Sequence, residues 1–342
     1  MRQRNDDRLA VANVPTNMLC GLLLLGSQLG VDSDRWLAGL RLQRTQLDDP
    51  RTRISYRQAI KVIRRALPSL PIDGVGLHMG SSQNGGNFGL LGLAMKTART
   101  FGDAVRIGVD YQRNLGPLMT LTLHEQDDTL ALVATAPEEA DDVLPFLCEE
   151  LFASILMLGR ELAGEAFSPL CVELAYPPPR YADQYRALFR CEVRFNQPRH
   201  AVVVDSRWMQ LPFASYNPVT SQQALALCHG QLAGQSRRGE TTAAVERLLR
   251  PRLRENPQMS DVALAMHLSE RTLRRQLADE DTSFSEVHDR MRTELALELL
   301  QNPELAIAAI GGQLGYNDAR EFRRAFKRWT GQTPSQARTP PQ

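Results

Sequence analysis

Two stretches near the C-terminus repeat one design: a short apolar helix, a tight turn, and a second helix with cations on one side and hydrophobic groups on the other. In the first, residues 259–280 (MSDVALAMHLSERTLRRQLADE), Val262, Ala265 and Leu268 lead into Ser269, a residue type suited to cap a helix N-terminus. At ~100° per residue, Leu273 and Leu277 lie on the side opposite Arg271, while Arg274 and Arg275 fall within ~60° of it. Thr272 is grouped with these three arginines as a candidate DNA contact. The second stretch, residues 305–331 (LAIAAIGGQLGYNDAREFRRAFKRWTG), has Ile307, Ile310 and Leu314 as its stripe and Gly315 as its stop, with Asn317 or Asp318 as cap. Arg323, Arg324, Lys327 and Arg328 all lie within ~80° of Arg320, and Phe322, Ala325, Phe326 and Trp329 lie at ~140–240°. Between the two, a helix from about Ser285 to Leu300, with Met291, Leu295 and Leu299 buried, makes a spacer. Short helix, turn and basic second helix describe a helix-turn-helix, here in tandem, and imply double-stranded DNA as partner.

The chain has 342 residues, 43% of them apolar, and this suits two folded domains. With 40 basic and 39 acidic side chains the net charge is only +1, so any surface for a polyanion has to be local. Lys61, Lys96 and Lys327 are the only lysines, and arginine suits bidentate recognition of phosphate and guanine. The five cysteines are scattered without a C-x-x-C pair, as expected of free thiols in a reducing compartment. The apolar run from Met18 to Leu29 is too short to span a bilayer and reads as a buried helix. These features predict a cytoplasmic protein with no membrane partner.

Residues 1–70 read as helical. Residues 74–92 change to a Gly-, Ser- and Asn-rich texture, expected as a loop over 80–89. Alternation in MTLTLHEQDDTLALVATA predicts a hairpin turning at Asp127-Asp128. A leucine stripe from Leu144 to Leu162 predicts a helix over 138–163, either core or a dimer seam. Strand-like runs CVELAY, EVRFNQ and AVVVDS follow, antiparallel in appearance. The expected fold class is an α+β N-terminal domain followed by an all-α double helix-turn-helix DNA-binding domain. The boundaries are residues 1–229 for effector binding and dimerisation, 230–242 for a linker, and 243–338 for DNA binding.

No catalytic constellation emerges. G-x-x-x-x-G-K-[ST], H-E-x-x-H, G-x-S-x-G and the dinucleotide fingerprint are all absent. His78, His124 and His200 lack a second metal ligand at useful spacing. The expectation is no enzyme activity, no cofactor and no metal. A small-molecule effector fits the N-terminal domain, and Met79, Phe88, Leu90 and Leu91, around the Gly-rich segment, are the candidate contacts. The alternative is a DNA-binding regulator without an effector, whose N-terminal domain only dimerises or docks on a protein partner.

The strings SERTLRRQL (269–277) and IAAIGGQLGYNDAREFRRAFKRWTGQTPSQAR (307–338) resemble the DNA-binding domain of the AraC/XylS family of bacterial transcription regulators. The resemblance spans residues 243–338 and implies two recognition helices entering adjacent major grooves. Arg271, Arg274 and Arg275 then read bases from the first helix and Arg320 and Arg324 from the second, while Lys327 and Arg328 are better placed for phosphate. Three positions depart from the family pattern: Arg320 replaces a usual Ser, Gly311 a usual Ala, and Ala337 a usual aromatic. Gly311-Gly312 is expected to loosen the second unit, which then orders on DNA. GVGLHMG, GLLGLAMKTARTFGDAVRIGVDY and RFNQPRHAVVVDSRWMQLPF resemble the arabinose-binding-like N-terminal region of a subgroup that includes ornithine-utilisation, virulence and quorum-type regulators. The resemblance further implies a homodimer, contact with RNA polymerase, and activation as the commoner outcome.

Overall fold

Alternation at 120–135 builds the predicted hairpin, and around it the only large sheet among the described residues. The computed structural model describes residues 9–112, 116, 118–233 and 238–338. They divide into one compact unit spanning 13–237 and a second comprising 238–338 with 9–12.

In the first unit, strands β1 (Ala12–Pro15) and β2 (Arg53–Ser55) form a two-stranded sheet. Three- and four-residue strands carry too little alternation to show in the sequence, and the expectation of helix throughout 1–70 is corrected here. The helices there are α1 (Asn17–Gln28), α2 (Arg44–Leu47) and α3 (Tyr56–Ala66). Helix α1 buries Leu19, Leu22, Leu23 and Leu25, as the apolar run predicted. Helix α3 starts at Ser55, whose hydroxyl accepts the Gln58 N–H while the Gln58 side chain returns to the Ser55 N–H, a reciprocal cap.

The Gly-rich segment is helical rather than a loop. It forms α4 (Val75–Ser81), a 3-10 turn at Gly85–Phe88 and α5 (Gly89–Lys96), followed by α6 (Phe101–Asp110). Its glycines serve close packing: a Cβ on Gly76 would sit 2.5 Å from the Phe146 carbonyl oxygen, and one on Gly80 would strike the Glu150 carbonyl and Ala153. Small residues four apart on one face let α4 lie directly against α7 (Leu144–Ala163). That long helix matches the leucine stripe and is preceded by a 3-10 turn at Glu138–Val143.

Strands β3 (Thr120–Gln126) and β4 (Thr129–Thr135) turn at Asp127-Asp128, with Asp127 at φ 49°. Strands β5 (Cys171–Glu173), β6 (Glu192–Arg194) and β7 (His200–Asp205) complete the sheet in the order β3-β4-β7-β5-β6. Leu132 faces Val202 across β4–β7, and Val172 faces the same Val202 from β5. The pair β5–β6 is parallel, against the antiparallel expectation, because α8 (Ala182–Phe189) carries the chain back between them. Helix α9 (Pro218–Ala233) closes the unit.

The second unit holds seven α-helices among the described residues: α10 (Glu240–Leu249), α11 (Met259–Ala265), α12 (Glu270–Ala278), α13 (Phe284–Leu300), α14 (Ile307–Gln313), α15 (Ala319–Thr330) and α16 (Pro334–Arg338). The expected linker 230–242 is helical at both ends, and its residues 234–237 lie outside the described residues. Residues 240–242 belong to the helical unit because the backbone N–H groups of Thr241 and Thr242 each donate to the Glu280 carboxylate at 2.8 Å. That carboxylate supplies the acceptors that a helix N-terminus lacks. Val11 bridges Gly239 within the same unit.

His288 on α13 is buried, and burial together with the Arg292 charge pushes it down to about 4. A histidine held neutral when folded contributes stability that is full above ~6.5 and drains away as pH falls towards 4. The unit is expected to lose about 1–2 kcal/mol between pH 7 and pH 5 through this residue. Urea midpoints at both pH values check this: a His288→Gln variant showing the same acid loss as the parent rules the mechanism out.

Candidate functional site: a nucleic-acid interface and a ligand cavity

The two helix pairs are built alike. In the first, the turn after α11 passes through His267 at φ 56°, and the Leu268 N–H reaches back to the Ala263 carbonyl. Ser269 then caps α12, its hydroxyl accepting the Thr272 N–H at 3.2 Å. In the second, Gly315 at φ 83° takes the place of His267, and the Tyr316 N–H reaches back to Gly311. Asp318 caps α15 by accepting the Arg320 N–H at 2.8 Å.

Each second helix is anchored by one face. Leu273 and Leu277 are fully buried in a core with Val262, Leu249, Val287 and Met291. Phe322 and Phe326 are fully buried in a separate core with Ile310, Leu314, Ala296 and Leu300. Gly311 is a packing requirement of that second core, since a Cβ there would press on the Phe322 side chain at 3.1–3.3 Å, whereas Gly312 faces open space.

On the opposite faces, Arg271, Arg274 and Arg275 of α12 and Arg320, Arg323, Arg324, Lys327 and Arg328 of α15 are all exposed. Among the described residues only Arg328 of these eight forms an ion pair, with Asp289 at 3.3 Å. Thr272 stands apart, half-buried with its hydroxyl 2.9 Å from that of Ser269.

Helix α13 holds the pairs in fixed register. Its buried Arg292 donates to Asn256 Oδ1 at 2.8 Å and lies 4.8 Å from the centre of the Tyr316 ring. A Cβ on Gly315 would meet the carbonyl oxygens of Leu253 and Arg254 at 3.0 Å, so the second turn abuts the first bundle directly. Rigidly joined cationic faces of this kind suit a polyanion with a fixed helical repeat.

The first unit holds a half-open cavity of about 610 Å³. Leu23, Leu47, Phe88, Met119, Leu147 and Leu151 form apolar walls, and Glu150 and Ser154 of α7 put polar atoms into it. A smaller apolar cavity of about 120 Å³ includes Phe88 and Leu91 in its walls. Burial raises the Glu150 carboxyl to about 7 against the opposing effect of a hydrogen bond from Ser154.

Residues 30–213 match the family described as the arabinose-binding domain of AraC transcription regulator, and residues 262–339 match a helix-turn-helix domain. The ornithine utilization regulator of Pseudomonas aeruginosa is 31% identical over 96% of this chain and 97% of its own length. The chain belongs to the AraC family of transcription regulators. The regulator VqsM of Pseudomonas aeruginosa is 26% identical over 77% of this chain and 83% of its own. The crystal structure of CdpR from Pseudomonas aeruginosa is 24% identical, covering 90% of this chain and 96% of that one with a TM-score of 0.43. This AraC-family protein is a DNA-binding transcription regulator, and it binds DNA through its helix-turn-helix domain.

Of the four effector residues expected from sequence, the AraC-type N-terminal domain places Phe88 at both cavities and Leu91 at the smaller one. Met79 is buried and lines neither, and Leu90 packs half-buried with Leu225 and Leu162 around the α5 core. Glu150 escaped the sequence reading. A signal existed, because at ~100° per residue it falls ~60° from Leu147, which puts a carboxylate inside the leucine stripe. Among the described residues no helix is long and apolar enough to cross a membrane, and no three His, Cys, Asp or Glu side chains are grouped to hold a metal ion.

Proposed function

We propose that this regulator reads a bipartite promoter site with two heads, and that a small molecule held by its N-terminal domain changes how it does so. The observation that carries the reading is the pair of exposed arginine faces on α12 and α15, locked together through Arg292 and Gly315. Arg271, Arg274 and Arg275 then contact base edges from one major groove, and Arg320 and Arg324 from the next. Arg323, Lys327 and Arg328 neutralise phosphates, and Thr272 acts through the Ser269 cap. Arginine at 320 suits guanine, to which its paired donors match two acceptors.

Residues 238–338 form the DNA-binding part and 13–237 the effector-binding part, and the cavity beside Phe88 supports the effector reading. Activation through contact with RNA polymerase, action as a homodimer, and a cytoplasmic setting complete the proposal. The first two rest on the family resemblance, and the third on the scattered cysteines and the short apolar run.

Salt titration tests the phosphate role. Lys327→Ala is expected to weaken binding to specific and random DNA alike and to lower the slope of log K against log salt by about 1. A variant that loses affinity for the specific site alone, at unchanged slope, assigns Lys327 to base reading instead.

A further inference from the structure

Two adjacent carboxylates on α7 meet opposite fates. Glu149 is buried and fully engaged: it accepts from the Tyr181 hydroxyl at 2.7 Å, the Tyr185 hydroxyl at 2.5 Å, and the backbone N–H groups of Gly76 and Leu77. Those donors come from α4, α8 and the residue just before α8, so Glu149 ties elements together. Glu150, one position on, points into the 610 Å³ cavity and ties nothing together. Its hydrogen bond to a side chain is to Ser154 on its own helix, at 3.3 Å.

No cationic side chain among the described residues pairs with Glu150. Arg44 also lines the cavity, but its guanidinium is spent on Ser27, Ser33 and Asp34. The other charged group among the described lining residues, exposed Asp48, is a second carboxylate. Among the described residues, two acids and one committed arginine are the charged groups on the lining, set among apolar walls and the amides of Asn17, Gln83 and Asn87, and this leaves a half-open site with an excess of acidic groups.

We propose that this cavity takes a small organic cation, an ammonium or guanidinium group carried on an aliphatic stem, with Glu150 as the charge partner. The cationic head donates to the Glu150 carboxylate, and the stem lies against Leu23, Leu147, Leu151 and Met119. Burial that disfavours the Glu150 carboxylate in the empty cavity, raising it to about 7, is offset when the cation arrives. The inference deepens the effector reading above and rests on it.

The test uses the full chain and a charge series of equal length: hexylammonium, hexanol and hexanoate, each followed by calorimetry and by thermal shift. Hexylammonium is expected to bind at least about tenfold more tightly than hexanol. Glu150→Gln keeps the shape and the Ser154 contact, and it is expected to erase that advantage while hexanol binding stays unchanged. Hexanol or hexanoate binding as tightly as hexylammonium, or an ammonium preference that survives Glu150→Gln, overturns the cationic inference and leaves the small-molecule reading standing. Absence of binding by all three at millimolar concentration, with the chain folded by circular dichroism, overturns both.

Discussion

Replacing Arg274 or Arg324 by alanine is expected to weaken binding to the specific site by about 5- to 150-fold each, equivalent to about 1–3 kcal/mol. Binding to random DNA should fall far less. Both side chains project from the exposed side of a helix whose opposite face is fully buried, so truncation removes a contact without disturbing a core. The two sit in separate helix pairs with separate cores, so the double variant should lose close to the sum of the single losses. Each single variant should also relax sequence preference only in its own half-site. Selection from a randomised library shows this directly: an Arg324→Ala protein with the parent's preference in both half-sites removes α15 from the reading surface.

Phe322→Ala is expected to cost about 3–5 kcal/mol. The ring is fully buried, lies edge-on to Phe326 with centroids 5.8 Å apart, and fills the space that Gly311 leaves for it. Alanine removes the ring from a core of six buried side chains, and the glycine opposite gives the site little with which to collapse. The damage should stay local, because Leu273 and Leu277 belong to the other core. Hydrogen exchange is expected to show lost protection over 307–330 with 262–277 retained, and the footprint on DNA should shrink to one half-site. A loss below about 1 kcal/mol, or equal deprotection of both pairs, contradicts two separately packed heads.

The two helix-turn-helix pairs were legible in the sequence because everything that defines them is local. In the first pair the Ser269 cap and the opposed arginine and leucine faces lie within 269–277, and in the second the stop at Gly315, the Asp318 cap and the opposed arginine and phenylalanine faces lie within 315–328. The hairpin at 120–135 was legible for the same reason. What escaped was set by distant partners. Gly80 looked like a loop residue until α7 was seen to press against it, and nothing near either strand says that β5 and β6 run parallel.

The linker looked unstructured at 240–242 because the acceptor for its N–H groups, Glu280, lies about forty residues on. Glu150 hid inside a stripe read as uniformly apolar. Its neighbour Glu149 has a purely structural explanation, and only the cavity separates the two.

The most direct measurement is hydroxyl-radical footprinting of the full chain on its highest-affinity genomic fragment, selected at near-physiological salt. Two protected half-sites on one face of the duplex, about 10 bp apart centre to centre, are the predicted result. A single protected half-site, or protection indifferent to sequence, contradicts double-headed recognition.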